Sequence, residues 1–211
     1  MRKYFFLFIF GLSTVQLWAQ QSFYEKLGEA YCSELTKCEL DSLSGMEIQN
    51  ELFRIGANLQ KSYKDSIDQI VSNLQSENDS LDKAAATRVF SLNLIFYMID
   101  HCPAYLVFTR KSLPPCPADN KTLQYVAVKI NQYSGSQNPY SYEKADSAMR
   151  DIMFQAITDI PDELEKDYEG GMSNPQLIND LQIYLMYKCD AYFRNYLKVQ
   201  SRKLFGLKDE N

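Results

Sequence analysis

The chain has 211 residues, and its 22 Lys and Arg against 27 Asp and Glu give a formal net charge of −5. Binding to nucleic acid or to an anionic membrane surface depends on clustered Lys and Arg, so neither partner is expected for this acidic chain. The single histidine and the absence of a C-x-x-C pair also argue against a zinc site.

The N-terminus has the parts of a secretory signal peptide. Arg2 and Lys3 form a basic region, residues 4–12 form an apolar run, and Ala19 precedes the expected cleavage point. The apolar run is shorter than the roughly 20 residues that a membrane-spanning helix needs, so an uncleaved anchor is the less favoured alternative. We therefore predict that residues 1–19 are removed, and that the mature protein is periplasmic or secreted and does not insert into a membrane.

The first predicted helix begins at a capping box at Ser22 and carries apolar residues at helical spacing from Phe23 onward. A second helix is expected from about Met46 to Leu74, with a weak point at Gly56. Further segments with apolar residues at helical spacing follow along the chain. These patterns predict an all-α fold.

One stretch of twelve residues occurs twice in the chain. Leu94–Tyr105 reads LIFYMIDHCPAY, and Leu181–Tyr192 reads LQIYLMYKCDAY. The segments that start at Ser22 and Ser141 also share a Tyr-Glu-Lys sequence. We interpret this similarity as an internal duplication, which predicts a helical bundle built from two imperfect helical repeats.

The expected organisation follows from the duplication and from the prolines. It comprises a signal peptide at 1–19, helical repeat 1 at 20–112, a linker at 113–140 and helical repeat 2 at 141–211. The prolines between Leu113 and Pro117 restrict their predecessors to extended conformations, which favours a linker. Residues 122–133 fit either a short helix or a strand, and the helical neighbours favour a helix.

The repeated segments predict an interruption of the helix at each conserved cysteine. Pro103 follows Cys102, and Asp190 follows Cys189. Proline and aspartate both favour the first turn of a helix, so we expect a kink or a restart at the two cysteines. A continuous helix in the second copy is the alternative.

Disulfide bonds are expected in an exported chain with five cysteines. On a helical wheel Cys38 lies about 60° from Phe23 and Cys32 lies about 180° away, so Cys38 is expected to face the core. A Cys38–Cys102 bridge is therefore the favoured pairing. Cys32 is left over, and it stays free or joins two molecules as a homodimer.

The remaining cysteines, Cys116 and Cys189, form the second candidate pair. Because an odd number of cysteines permits at most two bridges within one chain, many connectivities stay open. The sequence by itself does not choose among them.

Catalytic signatures are largely missing. His101 precedes Cys102, but adjacent helical residues point about 100° apart, which disfavours a catalytic pair. The acidic segment 159–169 lacks the residue spacing of a calcium-binding loop. Common hydrolase, nucleotide and dinucleotide motifs are also absent. We therefore predict no catalytic residue, no metal site and no cofactor.

Tyrosine is abundant, with 15 residues in the chain. The duplicated segments repeat two of them, which gives four candidates for a ligand or interface surface: Tyr97, Tyr105, Tyr184 and Tyr192. A tyrosine ring offers an apolar body with a polar tip, which suits a binding groove. Packing in the core explains the same spacing.

Residues 102–105 read Cys-Pro-Ala-Tyr and follow an apolar helix and an N-terminal helix with cysteines. In these features the chain resembles a class of exported helical proteins of unknown function in Gram-negative bacteria, which have a signal peptide, early cysteines and a later C-P-[AV]-[FY] motif. The second copy departs from that motif at Asp190. The resemblance implies an exported helical protein and supplies no activity, substrate or catalytic residue.

The sequence favours a non-catalytic exported module that binds a protein or a small ligand in the cell envelope. A carboxylate-based hydrolase of envelope polymers is one alternative, and a structural envelope component is another. The specific ligand, the disulfide connectivity and the oligomeric state are not specified by the sequence.

Overall fold

The computed structural model describes residues 23–39, 43–78, 80–136 and 142–206. The regular elements in these ranges are all helical, which confirms the all-α prediction. The predicted signal peptide and the capping box at Ser22 lie outside the described residues.

Helix α1 covers residues 23–36. The helices that follow are α2 (Gly45–Ser62), α3 (Lys64–Glu77), α4 (Lys83–His101), α5 (Pro103–Lys111), α6 (Lys121–Ser136), α7 (Tyr142–Thr158), α8 (Pro161–Asp167), α9 (Leu177–Lys188) and α10 (Asp190–Leu204). A 3-10 turn at Gly171–Ser173 lies between α8 and α9.

The chain divides into two compact units, and the division falls between Phe108 and Thr109, within α5. Unit 1 therefore contains α1 to α4 and most of α5, and unit 2 contains α6 to α10. The expected linker at 113–140 was predicted to hold one short helix or strand, and α6 lies within it and contributes Leu123, Val126 and Ile130 to the buried core. The predicted domain bounds stay a prediction.

Helix α6 begins where side chains satisfy its first backbone amides. The amide of Leu123 donates to Oδ1 of Asn120 at 2.8 Å, and the amide of Thr122 donates to Oδ2 of Asp167 in α8 at 2.8 Å. Such partners compensate for the hydrogen bonds that the first turn of a helix cannot make within the helix. The preference for a helix over a strand at residues 122–133 is confirmed.

Unit 1 has two apolar clusters, and α1 contributes to both. One cluster joins Tyr31 and Leu35 of α1 to α2, to the end of α4 and to Phe108. The other joins Leu27 to α3 and to the start of α4 around Phe90. Helices α1 and α4 therefore both link the two clusters, and α1 is buried over a wide arc.

The second predicted helix is interrupted at Tyr63 rather than at Gly56. Tyr63 has φ −109° and ψ 17°, and it separates α2 from α3. Gly56 stays helical within α2, and a Cβ there would lie 3.6 Å from the Tyr31 hydroxyl, an ordinary van der Waals distance. The predicted weak point is therefore not a break.

The predicted interruptions at the two cysteines are confirmed. Cys102 has φ −114° and ψ 94°, and Cys189 has φ −128° and ψ 97°, so both are extended between two helices. Each cysteine amide still donates to the carbonyl four residues earlier, at 2.9 Å in both units. Pro103 begins α5 and Asp190 begins α10, as their preference for the first helical turn predicts.

Candidate functional site

The disulfide bond of unit 1 joins Cys32 of α1 to Cys102, with a Cα–Cα distance of 5.6 Å. The predicted Cys38–Cys102 bridge is therefore wrong, and so is the suggestion that Cys32 links two molecules. The bond closes a loop with a sequence separation of 70. In the chain-entropy model such a loop stabilises the folded state by about 4 kcal/mol.

The predicted orientations of Cys32 and Cys38 were wrong for two physical reasons. The buried arc of α1 runs from Phe23 through Tyr31 to Cys32, about 180° in all, so Phe23 marks one margin of the buried face rather than its centre. In addition, α1 ends at residue 36, so the wheel does not apply to Cys38.

Gly28 marks the place where α1 packs closely against α4. A Cβ at Gly28 would lie 2.2 Å from Cδ1 of Tyr97 in α4, which no real side chain could tolerate without movement. Cys32 lies four residues after Gly28, and Cys102 lies five residues after Tyr97. The close approach of the two helices at Gly28 therefore brings the two sulfur atoms within bonding distance.

The other three cysteines are free thiols. Cys38 is half-buried, and its Sγ lies 3.4 Å from a carboxylate oxygen of Glu51. Cys189 is fully buried, and its Sγ lies 3.6 Å from the carbonyl oxygen of Ala127. The second candidate pair, Cys116 with Cys189, is therefore not bonded in unit 2. Burial raises the pKa of the Cys38, Cys116 and Cys189 thiols, that of Cys189 to about 11.

The four candidate tyrosines differ in burial between the two units. In unit 2, Tyr184 and Tyr192 expose only 3 % and 8 % of their surface, and burial is the main cause that raises the pKa of each to about 12. In unit 1, Tyr97 and Tyr105 are half-buried. The Tyr97 ring packs against Gly28 and against the His101 ring, with the ring centroids of Tyr97 and His101 4.6 Å apart. These contacts account for the repeated tyrosines as packing residues.

Helix α2 carries the most exposed aromatic side chain of the described residues. Phe53 exposes 79 % of its surface, and Met46, two turns earlier, exposes 76 %. Asn50, Ala57 and Gln60 continue the same stripe at spacings of three and four residues and are exposed. We call these five residues the outer face of α2. The face contains no charged side chain.

The opposite side of α2 is fixed to the core of unit 1. Ile48 and Ile55 are buried in the cluster that contains the disulfide. The hydroxyl of Tyr31, the residue before Cys32, donates to the carbonyl oxygen of Leu52 at 2.6 Å. The backbone next to Phe53 is therefore held by α1, which the disulfide ties in turn to Cys102.

A groove lies beside the outer face, towards the start of α3. It has a volume of about 370 Å³ and is lined by Ala57, Gln60, Lys61, Lys64, Ile67 and Asp68. Lys61 and Lys64 are exposed, and the ammonium group of Lys64 lies 3.2 Å from the carboxylate of Asp68. The groove has a partly apolar lining and a rim with basic side chains.

Acidic residues lie near the other end of α2. The carboxylate of Glu47 accepts a hydrogen bond of 2.7 Å from the Ser44 amide, which lowers the pKa of Glu47. Glu51 accepts a hydrogen bond of 2.8 Å from Nε of Arg54. The first turns of α2 therefore carry the acidic groups, and the C-terminal end carries Lys61.

In unit 2, the interruption at Cys189 is held by Arg110. Its Nε donates to the carbonyl oxygen of Met186 at 2.9 Å, and its guanidinium forms an ion pair with Asp190 at the start of α10. The guanidinium also lies 4.7 Å from the ring centroid of Phe193. One side chain therefore contacts the end of α9 and the first turn of α10, in a role that the sequence did not reveal.

Comparisons with protein-family models, with curated proteins and with solved structures give no match to this chain. Among the described residues, no helix combines the length and the apolarity needed to cross a membrane. The same residues contain no group of three or more His, Cys, Asp or Glu side chains that could hold a metal ion. The outer face of α2, with Phe53 and Met46 exposed, and the groove beside it form the candidate functional site.

Proposed function

We propose that the protein is an exported, non-catalytic helical module that binds a protein partner through the outer face of α2. The observation that supports this proposal is the exposure of Phe53 and Met46 on a helix whose other side is packed in a disulfide-braced core. Contact surfaces between proteins are enriched in aromatic residues and methionine and are depleted of charge at their centre. The outer face has that composition.

A protein partner fits this site better than a small ligand does. Ligand sites usually enclose most of the ligand surface, whereas Phe53 projects from a convex helix and the groove beside it is open. A helix that lays its apolar residues into a groove is a common mode of protein recognition. The expected partner is an amphipathic helix with one large apolar side chain for the groove and an acidic residue near Lys61.

The test is photo-crosslinking in cells that export the full-length protein. Gln60→benzoylphenylalanine places the reactive group at the groove, and the same replacement at the exposed Gln182 of unit 2 is the matched control. We expect an adduct with a protein at position 60 that is lost when Phe53→Ser is added. The absence of an adduct, or an adduct that Phe53→Ser leaves unchanged, would contradict the proposal.

A further inference from the structure

We infer that the partner of the outer face of α2 is a second copy of this chain, bound with the two α2 helices antiparallel. This inference rests on the proposed function, because it names the occupant of the same surface. It is carried by two features of one helix: a projecting apolar side chain and a groove that lies in line with it.

The shape of the outer face suits a contact with a second copy. Phe53 projects into solvent, and the groove begins at Ala57, one helical turn further on. An isologous contact uses the same patch on both molecules, so a projection at one residue must meet a recess at another residue of the same patch. In an antiparallel pair whose two-fold axis crosses the outer face at the level of residue 55, Phe53 of each copy lies opposite Ala57 of the other. The large side chain then meets the small one.

The polar side chains of the outer face also match in this arrangement. With the same axis, Asn50 of one copy lies opposite Gln60 of the other, and each pair of side-chain amides can exchange hydrogen bonds. The stripe spans most of α2, a helix of 18 residues that is about 27 Å long.

The charges at the two ends of α2 favour an antiparallel pair. The acidic Glu47 is near the start of α2, and the basic Lys61 is near its end. An antiparallel pair places each Glu47 near Lys61 of the other copy, so that one pair of opposite charges lies beside each end of the apolar stripe. A parallel pair would bring Glu47 near Glu47 and Phe53 against Phe53. Charge and shape therefore favour the same arrangement.

The test is the mass of the full-length mature protein in solution, measured by sedimentation equilibrium at concentrations up to about 1 mM. We expect a reversible dimer. Phe53→Ser should give a monomer with an unchanged helical circular dichroism spectrum, since Phe53 is exposed in the single chain. Phe154→Ser is the matched control, because Phe154 is an exposed phenylalanine of unit 2, and it should leave the dimer intact.

A second variant tests the antiparallel register. The exchange Phe53→Ala with Ala57→Phe in one chain moves the projection to the position of the recess and the recess to the position of the projection. Because residue 53 lies opposite residue 57 in both halves of the pair, the exchanged chain should regain the dimer that Phe53→Ser loses. A monomer at every concentration, a dimer that tolerates Phe53→Ser, or an exchanged chain that stays monomeric would each overturn the inference.

The two proposals fail in different ways. An adduct at position 60 that contains another protein, with a chain that is monomeric in solution, would overturn the second-copy inference and leave the proposed binding function standing. The absence of both an adduct and a dimer would overturn both.

Discussion

Gly28 and Tyr97 are in direct contact where α1 packs against α4, so closely that a Cβ at Gly28 would lie 2.2 Å from the tyrosine ring. This contact sets the separation of the two helices. The disulfide bond between Cys32 and Cys102 lies four residues beyond Gly28 and five beyond Tyr97, and it depends on the same separation. The core that supports the outer face of α2 is therefore organised by a glycine and a tyrosine as much as by the bond itself.

Gly28→Ala should destabilise the protein by about 1–3 kcal/mol, because the added methyl group displaces the Tyr97 ring. The free energy of unfolding in urea, measured with the disulfide intact, tests this. Gly56→Ala is the control: its Cβ meets nothing closer than 3.6 Å, so the better helix propensity of alanine should stabilise the protein by about 0.5–1 kcal/mol. If Gly28→Ala lowers the free energy of unfolding no more in the wild-type background than in a Tyr97→Ala background, the contact between Gly28 and Tyr97 does not set the helix separation.

Arg110→Met should destabilise unit 2 by about 1–3 kcal/mol, because a hydrogen bond to the end of α9 and an ion pair with α10 are lost together. Urea unfolding followed by the amide hydrogen exchange of α9 and α10 measures the effect. Arg150→Met removes an exposed ion pair with Asp146 within α7 and should cost at most about 0.5 kcal/mol. Equal effects of the two substitutions would contradict the bridging role of Arg110.

Alkaline pH should weaken unit 2 through Cys189. Burial raises the pKa of this thiol from 9.0 to about 11, so between these values the unfolded chain holds fewer protons than the folded chain. The stabilisation is complete below pH 9, and it is lost as the pH rises to 11, by up to about 2–3 kcal/mol. Tyr184 and Tyr192, with pKa values raised to about 12, extend the loss above pH 10.

The measurement is the free energy of unfolding at pH 8 to 11 in an oxygen-free Cys38→Ser, Cys116→Ser background, with the disulfide verified by mass. Cys189→Ala in that background should give a flatter pH dependence between 9 and 11, whatever its stability at pH 8. An unchanged slope would show that the Cys189 thiol does not titrate as proposed.

Asn131→Cys should form a disulfide bond with Cys189. The Asn131 side chain already hydrogen-bonds to the Cys189 thiol, and Ala127, one turn earlier in α6, contacts the same sulfur. Peptide mapping after mild oxidation should recover a 131–189 link. Gln132→Cys is the control, since its side chain points about 100° away around the helix, and it should stay free. A thiol at residue 131 that never pairs would contradict this geometry.

The helical class and the interruptions at Cys102 and Cys189 were predictable from the sequence because they depend on local signals. Apolar spacing fixes the helices, and Pro103 and Asp190 favour a helix start. The disulfide partner of Cys102 was not predictable in the same way, since it depends on how wide an arc of α1 is buried. The outer face of α2 also escaped detection, because whether Phe53 is covered depends on tertiary packing.

The internal duplication stays a prediction. One contact at each cysteine bears on its alignment: the disulfide partner of Cys102 lies in α1, and the carbonyl group that Cys189 contacts lies in α6. The shared Tyr-Glu-Lys sequence had instead paired α1 with the segment that begins at Tyr142. If the duplication is real, α6 is the better counterpart of α1.

The most direct single measurement is the disulfide map of the mature protein, isolated from exporting cells and alkylated before and after reduction. We expect one linked peptide pair that contains Cys32 and Cys102, with alkylated thiols at Cys38, Cys116 and Cys189. A linked pair that contains Cys38 and Cys102 would contradict the packing of α1 on α4. Five alkylated thiols before reduction would contradict both the disulfide bond of unit 1 and the export of the chain.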